Sequence, residues 1–227
     1  MGKNILVVLT SHDRLGETGH QTGFWLEELA TPYYVFKDAG AVVTLASPDG
    51  GKPPLDPKSD DVSAETPATI RFKADTVANE QLANTAKLQD VDASNFDAVF
   101  YPGGHGPLWD LIDNEQSIKL IEAFWTQGKP VSAVCHAPIA LVNAKDENGA
   151  FIVKGREVTG FTNEEEEAVG LTNIVPQLVE DVMIERGANY SKKESWASFA
   201  CKDGNLITGQ NPASSEAVAE LLLKALN

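Results

Sequence analysis

The sequence predicts an α/β fold with a doubly wound, mostly parallel sheet that carries helices on both faces. Near-continuous apolar runs of strand length occur at residues 5–9, 96–101 and 131–134, and such runs are typical of parallel strands buried on both faces. Helical patterns separate these runs along most of the chain. The last run ends on Cys135 at an abrupt turn toward a helix, which is the arrangement of a nucleophile elbow.

The composition is ordinary for a globular protein and excludes several classes of function. Of the 227 residues, 42% are hydrophobic, and 33 acidic residues against 18 basic ones give a formal net charge of −15. Such a chain lacks the Lys and Arg clusters that bind a nucleic-acid backbone. Its two cysteines do not make a disulfide framework, and no apolar run is long enough to span a membrane. We therefore expect a cytoplasmic protein with no nucleic-acid and no membrane partner.

The first half of the chain alternates strand and helix with one interruption. After the strand at 5–9 and a polar loop at 11–20, apolar residues from Phe24 to Phe36 predict a helix that ends at Gly40, with a kink or a new turn at Pro32. A second strand is predicted at 41–46. The segment at about 50–76 is rich in Pro, Asp, Ser and Thr and is predicted to be a surface excursion, because a helix at 78–88 resumes the alternation. We expect one domain over residues 1–227.

The second half continues the alternation through the elbow to the end of the chain. The strand at 96–101 leads into a glycine-rich turn and into helices at 109–112 and 117–126. Beyond the elbow we expect a short strand at 158–162, a helix that begins in the acidic run 163–167 behind a Thr162 or Asn163 cap, and a helix at 177–186. Strands at 198–202 and 206–209 form a hairpin around Asp203 and Gly204, and a helix at 213–226 follows.

Cys135 is the first candidate for chemistry. Ala137 and Pro138 fit the first turn of a helix, where the N–H that proline lacks would be unpaired anyway. A cysteine at that turn is held clear of the sheet, and the positive end of the helix dipole favours its thiolate. A buried structural cysteine is the alternative, and the local pattern leaves both possibilities open.

Glycines and acidic pairs supply further candidates, each with a structural alternative. The consecutive glycines Gly103 and Gly104 fit two functions: their backbone N–H groups could stabilise a developing oxyanion, or they could form a plain tight turn. A phosphate-binding loop is excluded, because no Lys-Ser or Lys-Thr pair follows them. Glu27 and Glu28 interrupt the apolar side of the first helix, where a solvated face would explain them. The glutamates at 164–167 suit the N-terminus of a helix.

Five stretches in this order carry a family resemblance: residues 23–28 (GFWLEE) with Pro32, 101–106 (YPGGHG), 133–138 (AVCHAP), 160–162 (GFT) and 208–212 (TGQNP). Together they resemble the ThiJ/PfpI superfamily, which shares a flavodoxin-like fold with the class I glutamine amidotransferases. The similarity is greatest to the branch of glyoxalase III and heat-inducible chaperone-like proteins.

The resemblance implies a catalytic triad that begins at the elbow. Cys135 is the nucleophile and His136 is its partner. Counting from the Gly-Phe-Thr stretch places the third member at Glu166, with Glu165 as the main competitor. In such a triad, Glu166 fixes the tautomer and the orientation of the imidazole.

The resemblance also implies residues around the triad. Counting along the first helix assigns the family's helix carboxylate to Glu28 rather than Glu27, and a buried Glu28 would share a proton with Cys135. The oxyanion hole consists of the backbone N–H groups of Gly104 and His136. The substrate pocket is expected to include Trp25, His105 and Phe161, with Trp109 as a further wall.

The implied activity is that of a glyoxalase III-type lyase, cysteine-dependent and without metal or other cofactor. Its substrate would be a small 2-oxoaldehyde such as methylglyoxal, converted to lactate without glutathione. Cys135 would form a hemithioacetal, His136 or Glu28 would move a proton through an enediol, and the resulting thioester would be hydrolysed.

Two other functions stay open at this point, together with the assembly state. A Cys-His-Glu triad also suits a cysteine amidase or peptidase. A holding chaperone or a redox-responsive stress protein would instead use an oxidisable Cys135. The resemblance implies a homodimer. We also expect a low pKa for Cys135 and its alkylation ahead of Cys201.

Overall fold

A seven-stranded sheet forms the centre of the structure, a computed structural model that describes residues 2–227. A separate two-stranded sheet pairs β6 with β7, and the strands are β1 (Asn4–Val8), β2 (Val42–Ser47), β3 (Ala86–Lys87), β4 (Ala98–Tyr101), β5 (Val131–Val134), β6 (Glu157–Val158), β7 (Asn189–Tyr190), β8 (Ala200–Asp203) and β9 (Leu206–Gly209). The helices are α1 (Leu26–Asp38), α2 (Pro67–Ala74), α3 (Thr76–Ala83), α4 (Pro107–Asp110), α5 (Glu115–Thr126), α6 (Asn163–Ala168), α7 (Val179–Glu185) and α8 (Ser215–Ala225).

The strand order confirms the predicted doubly wound, mostly parallel sheet. The order is β3-β2-β1-β4-β5-β9-β8, and every neighbouring pair is parallel except β8 with β9. The chain moves outward from β1 in one direction and from β4 in the other. The carboxyl ends of β1 and β4 therefore flank the point where the order reverses, which is where open α/β sheets bind ligands.

Alternating side chains of β1 supply both faces of the sheet. Ile5 and Val7 belong to the core shared with α1 and α8, whereas Leu6 and Val8 belong to the core shared with α5. A strand buried on both faces has to be apolar at consecutive positions, and this explains the uninterrupted run that predicted it.

α1 runs through Pro32 without interruption, so Pro32 does not begin a separate helix there. The helix continues from Leu26 to Asp38, with Pro32 inside it and buried. The missing N–H removes one helical hydrogen bond, and tertiary packing of the helix on the sheet outweighs that loss.

The surface excursion contains a helix that the sequence analysis missed. Thr66 caps α2, and its side chain accepts from the Thr69 N–H in a capping box, with Pro67 at the first helical position. The capping box and the proline at the first helical position are both present in the sequence, but the many turn-forming residues around them favoured the prediction of an irregular segment.

Other elements differ from prediction in type or length. The expected helix after Cys135 is a five-residue 3₁₀-helix, Ala137–Leu141, and the helix expected to reach residue 88 ends at Ala83 before the short β3. In the hairpin, Asp203 pairs with Leu206, so the turn is Gly204-Asn205 and Asp203 belongs to β8. Within residues 2–227, no helix combines the length and the apolar content that crossing a membrane requires.

Candidate active site

Cys135 lies directly after β5 in a left-handed backbone conformation, with φ of +63°. Its N–H donates to the Gly209 carbonyl at 2.9 Å, and its carbonyl accepts from the Phe161 N–H at 2.8 Å. These two hydrogen bonds hold a conformation that costs a non-glycine residue free energy. Strain at a turn that presents a side chain at the end of a strand is typical of a nucleophile elbow.

His136 lies between the Cys135 sulfur and Glu166. Its Nδ1 is 3.2 Å from Sγ, and its Nε2 is 2.7 Å from Glu166 Oε2. Although burial acts in the opposite direction, His136 and His105 keep the pKa of Glu166 well below its ordinary value. The ionised carboxylate can only accept, so the proton of neutral His136 is assigned to Nε2 and Nδ1 is left to accept from the thiol.

The imidazole of His136 is suited to take up a proton. Burial, followed by the neighbouring His105, lowers the pKa of His136. The ring therefore rests in the neutral form at neutral pH. A neutral ring that faces a thiol through an unprotonated nitrogen acts as a general base.

His105 shares the carboxylate of Glu166 with His136. Its Nε2 is 2.9 Å from Glu166 Oε1, and the two imidazole ring centroids are 4.0 Å apart. Glu166 therefore holds both rings, one on each oxygen. Nothing in the sequence spacing indicated this second imidazole–carboxylate contact, because the two residues are 61 positions apart.

Glu28 is fully buried beside the Cys135 sulfur. Its Oε2 accepts from the Gly103 N–H at 2.7 Å, whereas Oε1 has no hydrogen-bond partner of ordinary geometry among residues 2–227. Burial raises the pKa of Glu28 from 4.5 to about 8. A carboxyl that carries its proton on Oε1 would satisfy that atom by donating to the sulfur.

The expectation of a low pKa for Cys135 is wrong for this resting arrangement. Burial, followed by the Glu28 carboxyl, raises the pKa of the thiol, and the N–H that Gly104 directs at the sulfur offsets only part of this effect. The five-residue 3₁₀-helix behind Cys135 also supplies little of the dipole on which that expectation depended. The sulfur therefore rests as a thiol.

Two glycines let the β4–α4 loop approach the elbow. A Cβ on Gly103 would lie 2.7 Å from Glu28 Oε2 and 2.9 Å from the backbone nitrogen of His136. Gly104 has φ of +91°, and a Cβ there would lie 2.3 Å from the Gly23 carbonyl oxygen. This close approach brings the N–H of Gly104 to the sulfur.

Glu165 is buried next to Glu166 but serves a different purpose. Its Oε2 accepts from the Thr162 N–H at 3.0 Å, and its Oε1 accepts from the Trp196 N–H, Gln210 Nε2 and Asn211 Nδ2 at 2.8–3.1 Å. Glu165 thus connects α6 to the segments after β7 and β9. The Thr-x-x-Glu capping box at its position was visible in the sequence, whereas the three distant donors were not.

The predicted pocket residues separate into different environments. Trp25 and His105 line a cavity of about 420 Å³, which we call the side cavity. Phe161 instead packs on His136, with ring centroids 4.2 Å apart, and is not among the residues that line the side cavity. Trp109 stacks on His12 at 5.0 Å and does not line the side cavity either.

His105, His136 and Glu166 are also the one group among the described residues with the composition of a metal site. Each offers a ligand atom, and these atoms lie within 4.8 Å of one another. The same atoms make the two imidazole–carboxylate hydrogen bonds, so an ion would have to replace the proton on both Nε2 atoms. That no metal takes part stays a prediction.

Comparison with known proteins gives concordant matches over nearly the whole chain. The model of the DJ-1/PfpI family matches residues 20–225. Glyoxalase 3 of Candida albicans is 31% identical, over 97% of this chain and 97% of its own. Glutathione-independent glyoxalase HSP31 of Saccharomyces cerevisiae is 30% identical, over 99% of this chain and 98% of its own. The X-ray structure of the Francisella tularensis Rapid Encystment Protein 24 KDa superposes with a TM-score of 0.95 at 39% identity and covers 99% of each chain.

Proposed function

This chain belongs to the DJ-1/PfpI family, and from that membership and the buried pair of Glu28 and Cys135 we propose that it is a glutathione-independent glyoxalase of the glyoxalase III type. Two relatives that match it over nearly their full lengths carry glyoxalase names. The substrate is a small 2-oxoaldehyde such as methylglyoxal, and the product is the corresponding 2-hydroxy acid. The homodimer implied by the resemblance and the cytoplasmic location expected from the composition stay predictions.

The observation that carries the proposal is the fully buried carboxyl of Glu28 beside the Cys135 sulfur. Burial raises the pKa of Glu28 to about 8, so both of its protonation states are accessible near neutral pH. Glyoxalase chemistry needs a group that removes a proton from one carbon and returns it to the next. Acyl transfer by a Cys-His-Glu triad moves no proton between carbons. His136 alone can serve there as base and acid, so acyl transfer gives Glu28 no role.

The first step is addition of the thiol to the aldehyde. His136 Nδ1 takes the proton from Cys135 as Sγ bonds to the aldehyde carbon, and the carbonyl electron pair becomes an alkoxide. The N–H groups of Gly104 and His136 stabilise the developing negative charge. Glu166 stabilises the imidazolium, and proton transfer from that ring to the alkoxide gives the hemithioacetal.

The second step moves hydrogen between two carbons without any net oxidation. Glu28, as carboxylate, removes the proton from the former aldehyde carbon, and the electron pair shifts through an enediol to the neighbouring carbonyl oxygen. Glu28 then returns the proton to the second carbon, and the proton of the hemithioacetal hydroxyl passes to the oxygen of the second carbon, which leaves a hydroxyl there and a thioester on Cys135. Water hydrolyses the thioester, which releases the 2-hydroxy acid and restores the thiol.

The burial of the sulfur weighs against the two alternative functions. Cys135 is only 3% exposed, so a peptide bond with substituents on both sides would not reach Sγ, whereas a terminal aldehyde is slim enough. A redox sensor requires an accessible thiol of low pKa, and burial raises the pKa of this one.

The test is direct. Purified protein is incubated with methylglyoxal without glutathione, and lactate is measured. We expect lactate from the wild type and none above background from Cys135→Ala, with Cys201→Ala as the matched control that keeps activity. Lactate formation by Cys135→Ala equal to that of the wild type would refute the cysteine-dependent mechanism, and no lactate from any variant would refute the glyoxalase assignment.

A further inference from the structure

The side cavity is much larger than methylglyoxal. Its volume is about 420 Å³, within the range of about 300–1,000 Å³ that is common for pockets binding larger ligands. Methylglyoxal has five non-hydrogen atoms and, at no more than about 30 Å³ per atom, would occupy roughly 150 Å³ or less. Most of the cavity would then hold only water.

The side cavity leads to the triad through two residues. His105 lines it and contacts both His136 and Glu166. Trp25 also lines it, and the backbone N–H of Trp25 donates to the Gly103 carbonyl at 3.0 Å, next to the N–H groups that face the elbow. Cys135 itself does not line the side cavity, so a substrate with its aldehyde carbon at Cys135 would have to pass His105 and Trp25 to place its other end there.

The wall of the side cavity is mainly apolar. The apolar lining residues are Leu15, Trp25, Pro57, Val169 and Leu171. The indole of Trp25 and the branched side chains suit a flat or bulky hydrocarbon group, because removing such a group from water is favourable in proportion to its apolar area.

Asp56 and Lys58 are the carboxylate and the lysine among the residues that line the wall, and the oxygens of Asp56 already accept hydrogen bonds within the protein. Asp56 is buried, and it accepts from the Thr22 hydroxyl and from the Lys58 N–H, each at 2.9 Å. Lys58 also lines the cavity, and among the described residues its Nζ has no carboxylate within 4.0 Å. In a chain of net charge −15, the rim of this cavity thus offers a cation to an anionic ligand.

We propose that the side cavity binds the side group of a 2-oxoaldehyde larger than methylglyoxal, with an apolar body and an acidic group at its far end that faces Lys58. This inference rests on the proposed glyoxalase function and names the substrate class. The aldehyde end reacts at Cys135, the body packs against Trp25 and Leu171, and the acidic end stays near solvent at the rim.

The experiment compares kcat/KM for methylglyoxal, phenylglyoxal and 4-carboxyphenylglyoxal, without glutathione and at low salt, using the full chain. We expect phenylglyoxal to exceed methylglyoxal by about tenfold or more, as burial of a ring predicts. The carboxyl group should add about threefold more, because one charge pair at a rim contributes little. Lys58→Gln should remove that last advantage, and Lys52→Gln, an exposed lysine of the same excursion, should keep it.

A cavity-filling variant separates binding from the intrinsic reactivity of the substrates. Val169→Trp should lower the ratio of phenylglyoxal to methylglyoxal kcat/KM by about fivefold or more, and Val77→Trp, at an exposed valine on α3, should leave the ratio unchanged. If methylglyoxal is converted but phenylglyoxal is not preferred and Val169→Trp leaves the ratio unchanged, this inference is wrong and the glyoxalase assignment stands. If the carboxyl group gives no advantage, the role of Lys58 is wrong. If no aldehyde is converted, the proposed function itself fails.

Discussion

Glu27 and Glu28 are chain neighbours whose surroundings in the structure differ. Glu27 is half-buried and bonds to the hydroxyls of Thr31 and Thr66, whereas Glu28 is fully buried beside Cys135. Successive positions of a helix point about 100° apart, and the buried side of α1 includes Glu28, Leu29 and Ala30 but not Glu27. The same sequence pair therefore contains one surface carboxylate and one that can take part in chemistry.

This difference gives the first prediction. Glu28→Gln should lower kcat for lactate formation by about 10²–10⁴-fold, because the amide cannot carry a proton between two carbons. Glu27→Gln should stay within about threefold of the wild type, since it alters only bonds near the surface. Steady-state assays on methylglyoxal measure both variants. The reverse order would mean that the wrong glutamate has been assigned.

Glu165 and Glu166 give a second pair with different expected effects. Glu166→Gln should lower kcat by about 10²–10⁴-fold through loss of the correct His136 tautomer. Glu165→Gln should lower the free energy of unfolding by about 2 kcal/mol, because its amide NH₂ would face donors that the carboxylate now satisfies.

Urea titration and turnover are both measured for each of these two variants. If Glu165→Gln abolished turnover without loss of stability while Glu166→Gln remained active, Glu165 would be the third member of the triad.

The β4–α4 loop is the element on which the geometry of the site depends most. It presents Gly103 to Glu28 and Gly104 to the sulfur, and it lies close to the Gly23 carbonyl before α1. Residues next to β4, β5 and α1 are thereby in contact around the sulfur: Gly103 and Gly104 follow β4, Cys135 follows β5, and Glu28 belongs to α1. That closeness depends on the absence of Cβ atoms.

Alanine substitution tests this dependence. Gly104→Ala should destabilise the protein by about 2–4 kcal/mol and abolish turnover, because its Cβ would strike backbone atoms in a left-handed conformation. Gly149→Ala is the matched control, with φ of +79° and open space around its Cβ position, and it should cost only about 1 kcal/mol. Thermal unfolding and activity compare the two. Equal, small effects would show that the loop does not pack closely against the elbow.

At the scale of the whole molecule, the buried carboxyl links folding to pH. The pKa of Glu28 rises from 4.5 in the unfolded chain to about 8 in the native protein. Between those values the native protein retains a proton that the unfolded chain releases, so stability falls as pH rises through this window. Below pH 4.5 the contribution is fully present, and above pH 8 it is lost.

Glu28→Gln should remove this dependence. Between pH 5 and pH 8 the wild type should lose about 3 kcal/mol of unfolding free energy relative to the variant, because only the wild type carries the ionisable group at position 28. Urea denaturation at the two pH values measures this difference, with Glu27→Gln as the control that follows the wild type. A difference that does not change with pH would mean that Glu28 ionises normally in the native protein.

Much of the fold could be predicted from the sequence because its signals are local. The apolar runs of β1, β4 and β5, the turn at Cys135, the N-terminal cap of α6 and the glycine after the end of α1, Gly40, each depend on neighbouring residues. The helix α2 and the short strands β3 and β7 were missed, because turn-forming residues or brief pairing with distant strands hide them.

By itself, the sequence predicted the parallel architecture and the turn at Cys135, and its resemblance to the ThiJ/PfpI superfamily supplied His136, Glu28 and Glu166 as candidate site residues. Only the tertiary structure decided the burial of the sulfur, the second imidazole on Glu166, the anchoring by Glu165 and the separation of Phe161 and Trp109 from the side cavity. The physical reason is that burial and pKa depend on groups far apart in the chain, which no local pattern records.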